Sequence, residues 1–269
     1  MRVRILGSGT LLPDDERRSA AHLVEAGTAR VLLDCGAGTL HGLDRHGVEW
    51  RELTHVALTH FHTDHWGDLA PLLFALTHGI RPRREAPLTL LGPPGLGDRL
   101  ESLARAFGDH VRDPGFPLRI VELGRADAWA DEGAGLRIRT HPTRHTEHSV
   151  AYRVEGVAPE RGKGRGTSVG YTGDTGPLPA LGVFFRDVDL LIAECSLADP
   201  PQITTHLTPR GVAALCGDAR PGRVVLTHLY PELDPRRVPG EVADAGYEGR
   251  VEVAADGDLL RVGGSRGGV

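Results

Sequence analysis

The pattern of apolar and polar residues reads as short strands and helices in alternation, with turn signals between them. Residues 3–6, 22–25 and 30–33 read as strands, with Gly27-Thr28 supplying a hairpin turn between the last two. Residues 53–59, apolar and β-branched, form a further strand that runs straight into a cluster of histidines. Leu69, Leu72, Leu73 and Leu76 place residues 68–78 on a helix; residues 88–91 are a strand before Pro93-Pro94-Gly95, and residues 96–107 have an amphipathic period. In the second half, residues 136–140, 149–154 and 168–172 read as strands, with 160–166 as a turn between the last two. Residues 189–193 and 224–227 are the near-continuous apolar runs of strands buried on both faces. Residues 209–219 are a helix with Thr208 as N-cap, and residues 251–262 read as a closing hairpin around Asp256-Gly257. Strands outnumber helices in both halves, which predicts an α/β protein of two packed mixed sheets with helices outside, not one doubly wound sheet. No internal repeat breaks the pattern, so residues 1–269 read as a single domain.

Composition narrows the class. With 269 residues, 40% of them hydrophobic, the chain buries a sizeable core, which excludes disorder. No apolar run approaches the roughly 18 residues that span a bilayer. The N-terminal Met1-Arg-Val-Arg-Ile enters a strand with no signal-peptide core, so the expectation is a soluble, cytoplasmic protein without a membrane partner. Cys35, Cys195 and Cys216 lie far apart and form no C-x-x-C pair, which excludes a disulfide framework and a thiolate zinc knuckle. A net charge of −5 gives no general attraction to nucleic acid. The 14 histidines are what composition leaves unexplained.

Thr59-His60-Phe61-His62-Thr63-Asp64-His65 concentrates them between a strand and a helix. Residues two apart in an extended stretch point the same way, so His60 and His62 can converge on one ion. Asp64 and His65 sit where the chain bends into the helix and can turn toward a second ion. Buried imidazoles and carboxylates all need partners, and metal ligation explains four ligand-type residues in six positions better than packing does.

This H-x-H-x-D-H motif resembles that of the metallo-β-lactamase fold superfamily, and further blocks follow in the family's order. Gly7-Ser8-Gly9-Thr10 looks like the opening loop and Leu32-Leu33-Asp34-Cys35-Gly36 like the second signature. His145, seven positions before Tyr152, is similar to a metal-binding histidine, although His141 and His148 share its stretch. Tyr171-Thr172-Gly173-Asp174-Thr175 resembles the turn whose aspartate bridges two metals, and Leu226-Thr227-His228-Leu229 resembles the last ligand block. The resemblance implies an αββα four-layer sandwich with two Zn²⁺ per chain. His60, His62 and His145 would hold one ion, Asp64, His65 and His228 the other, and Asp174 with a hydroxide would bridge them. Manganese or iron suits the same nitrogen and oxygen donors. Asp34 at a strand end suits an acceptor that orients a metal-bound imidazole. His22, His41, His46, His55, His78 and His110 match no block and read as structural or solvent-exposed.

Glu194-Cys195-Ser196 followed by Thr205-His206-Leu207-Thr208 resembles the ribonuclease Z branch. The resemblance implies a phosphodiesterase in which metal-bound hydroxide attacks, Asp64 orients it, His206 is the general acid that protonates the leaving oxygen or stabilises the developing charge, and Glu194 holds the His206 imidazole. That branch's tRNA-gripping arm falls between the third metal histidine and the bridging aspartate. Here residues 146–173 span that interval, and two strands use most of it. Arg161, Lys163 and Arg165, and the run Arg81, Arg83 and Arg84, are the small basic patches that could touch a phosphate. Without an arm, a small phosphodiester or a short oligonucleotide is the expected substrate and precursor tRNA is disfavoured. The alternative is a carboxylic ester or lactone hydrolase on the same metals, with the apolar residues 178–185 walling an acyl pocket. The resemblance also implies a homodimer.

Overall fold

The structure is a computed structural model that describes residues 1–156 and 166–263. In chain order its strands are β1 (Arg2–Gly7), β2 (Ala21–Ala26), β3 (Ala29–Leu33), β4 (His55–Ala57), β5 (Leu88–Gly92), β6 (Leu118–Glu122), β7 (Ala128–Asp131), β8 (Leu136–Pro142), β9 (Val150–Gly156), β10 (Ser168–Tyr171), β11 (Leu190–Glu194), β12 (Val224–Thr227), β13 (Val251–Val253) and β14 (Leu259–Arg261). The helices are α1 (Thr39–Arg45), α2 (Thr63–Trp66), α3 (Leu69–His78), α4 (Leu96–Phe107), α5 (Pro179–Phe184), α6 (Pro209–Ala219) and α7 (Val238–Asp244).

The strands form two seven-stranded sheets, ordered β14-β1-β2-β3-β4-β5-β6 and β13-β12-β11-β10-β9-β8-β7. Each sheet is antiparallel at one side and parallel at the other, the change falling at β3 in the first and at β10 in the second. Parallel pairs need crossover connections, and the helices supply them, so each sheet carries helices on one face and packs its other face on its partner. The period of two is visible in the core. Val3, Ile5, Val31, Leu33, Ile138, Val154 and Ile192 fill the layer between the sheets. Their neighbours Leu32, Leu191 and Ala193 pack under helices instead. Each such aliphatic side chain contributes roughly 1.5–3 kcal/mol by leaving water.

Four sequence expectations need revision. The strand expected over 53–59 pairs only as β4: Leu58 N still donates to Leu91 O of β5, but Thr59 and His60 turn away to build a loop. Residues 251–262 are not a hairpin: β13 pairs with β12 in one sheet and β14 with β1 in the other. Asp256 explains the crossing, since its carboxylate accepts from Ser8 N, Ser8 Oγ and Arg18 N and so is spent on the opening loop. Arg84 is no free cation. It is buried, donates to the carbonyls of Arg51, Leu53, Ala86 and Pro87, and lies over the Phe116 ring. The patch of Arg161, Lys163 and Arg165 lies outside the described residues. Finally, a separate short helix, α2, precedes the expected one and carries Asp64 and His65.

His22 of β2 is fully buried with both ring nitrogens unpartnered among the described residues, its ring standing edge-on to Tyr171 at 4.9 Å. Burial first, and then the nearby His65 and His228, push its pKa down to about 3. The unfolded chain takes up this proton near pH 6.5, while the folded ring refuses it until about 3, so the unfolded state binds more protons across that window. Stability therefore falls as pH drops through it, by roughly 1 kcal/mol per pH unit from this ring. In urea melts under a chelator, His22→Leu should flatten the acid limb between pH 6 and 4 by about that slope. An unchanged slope would show that the ring is not held neutral.

Candidate active site

The donor residues gather where strands end. His60 and His62 follow β4, Asp174 follows β10 and His228 follows β12, while Asp64 and His65 ride on α2 and His145 lies in the turn between β8 and β9. These are carboxyl ends of parallel strands in both sheets, the place where open α/β sheets form a crevice. Local backbone aims the side chains. Gly173, at φ +53°, turns Asp174 inward, and a Cβ on it would come within 2.8 Å of the Thr59 side chain. His228 itself adopts φ +59° and Asp34 φ +57°, conformations costing of order 1 kcal/mol that the surrounding hydrogen bonds must hold. His228 N donates to Ser8 O at 2.8 Å and Asp34 N to Ala57 O at 2.9 Å.

Ligand-type atoms of His60, His62, His145 and Asp174 lie within 4.8 Å of one another, as do those of Asp64, His65 and His228. Asp174 stands between the groups, with Oδ2 3.8 Å from His60 Nε2 and Oδ1 3.3 Å from His65 Nε2 and 3.6 Å from His228 Nε2. His145 Nε2 is 3.0 Å from His62 Nδ1, and His228 Nε2 is 3.2 Å from Asp64 Oδ2. Donor atoms on one tetrahedral zinc are about 3.3 Å apart, so these spacings suit a metal ion. The orphans agree. His60 Nε2, His65 Nε2 and Asp174 Oδ1 are buried with no hydrogen-bond partner among the described residues. Each would cost about 1–3 kcal/mol if left unmet, and a divalent cation meets all three.

Charge is arranged accordingly. Burial would raise the Asp174 carboxyl, but His228, His65 and His60 hold it well below the usual carboxylate range. Burial lowers the His60 imidazole well below its ordinary value, with His65 adding repulsion, which keeps a lone pair available. Burial likewise pulls His145 down to about 4, and its Nδ1 donates to the Thr205 carbonyl at 3.2 Å, leaving Nε2 toward the cluster.

Asp34 is wholly buried and accepts from Thr59 N, Thr59 Oγ1, His65 Nδ1 and Tyr171 Oη. Glu194 at the end of β11 accepts from Thr175 N, Ser196 Oγ, Leu207 N and His206 Nδ1. His206 Nδ1 lies 3.0 Å from Glu194 Oε1 and 4.0 Å from Asp174 Oδ2, and its ring is nearly parallel to His228 at 5.8 Å. Burial opposes charge on His206, yet Glu194 outweighs it and raises the imidazole above its ordinary value. His206 Nε2 keeps no protein partner among the described residues. All seven sequence-selected ligand positions, with His206 and Glu194, thus meet at one site.

His141 and His148 stay outside the donor groups, His141 donating to the Pro142 carbonyl with its ring tilted against Phe184. Sequence reading missed Ser196 and the hydroxyl of Thr59, although each stands one or two residues from a chosen residue. It also missed Tyr230, whose ring packs perpendicular to His206 and His228 at 6.2 and 6.0 Å.

Two packed mixed sheets flanked by helices, with a histidine and aspartate metal cluster at strand ends, define a metal-dependent hydrolase. The chain belongs to the β-lactamase superfamily: the family described as "Beta-lactamase superfamily domain" matches residues 29–229, an interval holding the whole cluster. It is 29% identical over 279 residues to a protein named ribonuclease Z from Mycobacterium bovis (strain BCG / Pasteur 1173P2), covering 95% of this chain and 96% of that one. Among solved structures it shares its fold with the metallo-β-lactamase fold protein YhfI from Bacillus subtilis (TM-score 0.80, 22% identity, 97% and 98% of the chains covered). The short form of human tRNase Z has the same fold (TM-score 0.76, 22% identity, 97% and 99% covered). Among the described residues no helix is long and apolar enough to cross a membrane.

Proposed function

We propose that the protein is a dinuclear zinc phosphodiesterase acting on a small phosphodiester or a short oligonucleotide. The observation that carries the reading is the Glu194–His206 pair, which sets an imidazole with a free Nε2 beside the metal cluster. The similarity to ribonuclease Z over nearly the whole chain supports the same chemistry. His60, His62 and His145 would hold one zinc ion and Asp64, His65 and His228 the other, with Asp174 between the two groups, and the bound metal would supply Lewis acidity and a water nucleophile near neutral pH. Asp64 orients that water. Glu194 keeps the His206 Nδ1 proton in place, so that Nε2 faces the leaving oxygen and hands it a proton. Only residues 157–167 join β9 to β10, too few for a tRNA-gripping arm, which keeps precursor tRNA disfavoured.

Metal-replete protein should hydrolyse bis-p-nitrophenyl phosphate, lose that activity to a chelator and regain it with zinc. Absence of phosphodiester turnover with zinc, manganese and iron alike would overturn the reading. One observation favours a second reading. A cavity of about 80 Å³ lined by Leu178, Pro179, Leu181, Leu207 and Leu215 opens behind Thr175, room for a short acyl group. A carboxylic ester or lactone hydrolase would turn over p-nitrophenyl acetate or a lactone with His206→Ala almost silent.

A further inference from the structure

Two hydroxyls that never reach the surface stand between a buried carboxylate and a cluster-facing imidazole, one in each half of the molecule. After β11, Ser196 Oγ lies 2.5 Å from Glu194 Oε2 and 3.0 Å from His228 Nδ1. After β4, Thr59 Oγ1 lies 2.9 Å from Asp34 Oδ2 and 3.0 Å from His60 Nδ1. Ser196 is wholly buried and Thr59 is 1% exposed, so water cannot substitute for either partner.

The direction of each chain follows from proton counting. A carboxylate only accepts, and a hydroxyl has one proton to give, so Ser196 and Thr59 spend theirs on Glu194 and Asp34. Each hydroxyl must then accept from the imidazole, which fixes the proton on Nδ1 and leaves Nε2 a bare lone pair. The far side of each ring is consistent with that. His60 Nε2 is buried and unpartnered, and His228 Nε2 faces Asp64 Oδ2 at 3.2 Å, a contact that a cation shared by both makes favourable.

We propose that Ser196 and Thr59 are positioning residues, each locking the tautomer and ring orientation of one metal-ligand histidine. By this arrangement each carboxylate acts twice. Asp34 holds His65 directly and His60 through Thr59; Glu194 holds His206 directly and His228 through Ser196. Glu194 thus ties the acid to a ligand of the second ion, and Asp34 ties one ligand of each ion to the other. The inference rests on reading the cluster as a two-ion metal centre and not on which bond is cleaved.

The test is a zinc titration of the full chain against a chromophoric chelator. Losing a partner of this kind typically costs about 10–100-fold in metal affinity. Ser196→Ala should therefore weaken one of the two sites by about that factor and leave the other unchanged, and Ser196→Thr should restore it. Thr59→Val should weaken the other site instead, with Thr59→Ser restoring it. A merely structural role would lower melting temperature without separating the sites. Unchanged zinc affinity at both sites in Ser196→Ala and Thr59→Val overturns the proposal. In zinc-loaded wild type, where folding is not in question, long-range proton–nitrogen NMR should find His60 and His228 protonated at Nδ1; protonation at Nε2 overturns it as well. Zinc binding with no phosphodiester turnover would sink the proposed function alone, and wild type that takes up no zinc would sink both.

Discussion

Asp174→Ala should reduce metal content from about two ions per chain to one or fewer and cut turnover by roughly 10³-fold or more, because several kcal/mol of charge stabilisation depend on the ions. Asp174 reaches both ligand groups. Its two oxygens are within 3.3–3.8 Å of nitrogens on His60, His65, His145 and His228. Without the carboxylate, His60 and His145 lose the counter-charge they share with His65 and His228, and Asp64, 3.2 Å from His228 Nε2 and 3.7 Å from His65 Nε2, serves the second group alone. Zinc at 100 times its dissociation constant adds about 2.7 kcal/mol to a protein that binds it only when folded, and the variant should lose most of the resulting zinc-induced rise in melting temperature. Asp174→Asn keeps the shape and removes the charge, so it should resemble alanine in metal content while melting like wild type under a chelator. Elemental analysis, melts with and without zinc, and turnover on one phosphodiester decide the matter. Full metal content in both variants would remove Asp174 from the centre.

Local signals carried most of what could be read in advance. The His60 to His65 stretch packs its ligand types into a few consecutive positions, and a strand before it with a helix after it constrain their directions. Thr208 at the start of α6 is another local signal, and its side chain does accept from Gly211 N as an N-cap should. What failed was what depends on distant partners. The Asp256-Gly257 turn looks like a hairpin from inside residues 251–262, and only Ser8 and Arg18, more than two hundred residues away in sequence, make it a crossing between sheets. β6 went unread because as an edge strand it exposes most of its residues and lacks a clean alternation. α7 is only seven residues long and contains Gly240, a poor helix former, so its sequence shows no period; Pro239 falls in the first turn, where it is tolerated. The hydroxyls of Thr59 and Ser196 fall in the same class. Both types are common at strand ends, and their purpose is visible only once a carboxylate and an imidazole stand on either side.

His206→Ala separates acid catalysis from metal binding, and its effect should depend on what leaves. A dinucleotide expels a sugar hydroxyl, which needs a proton in the transition state, so loss of the acid should lower turnover by about 10²–10⁴-fold. With bis-p-nitrophenyl phosphate the phenolate departs readily without a proton, so the deficit should be much smaller. Metal content should stay at the wild-type level, because Nδ1 is committed to Glu194 at 3.0 Å and each of the two ligand groups has at least three donors without His206. Glu194→Gln should fall between wild type and His206→Ala on the dinucleotide. The amide can still accept from Nδ1 but no longer stabilises a charged imidazole, the factor that now raises His206 above its ordinary value. Two outcomes would revise the role. Equal losses on both substrates would make His206 a stabiliser of charge on the phosphoryl group, not a proton donor. Loss of metal would make it a ligand, for which its position within 4.8 Å of donor atoms on Asp174 and His228 leaves room.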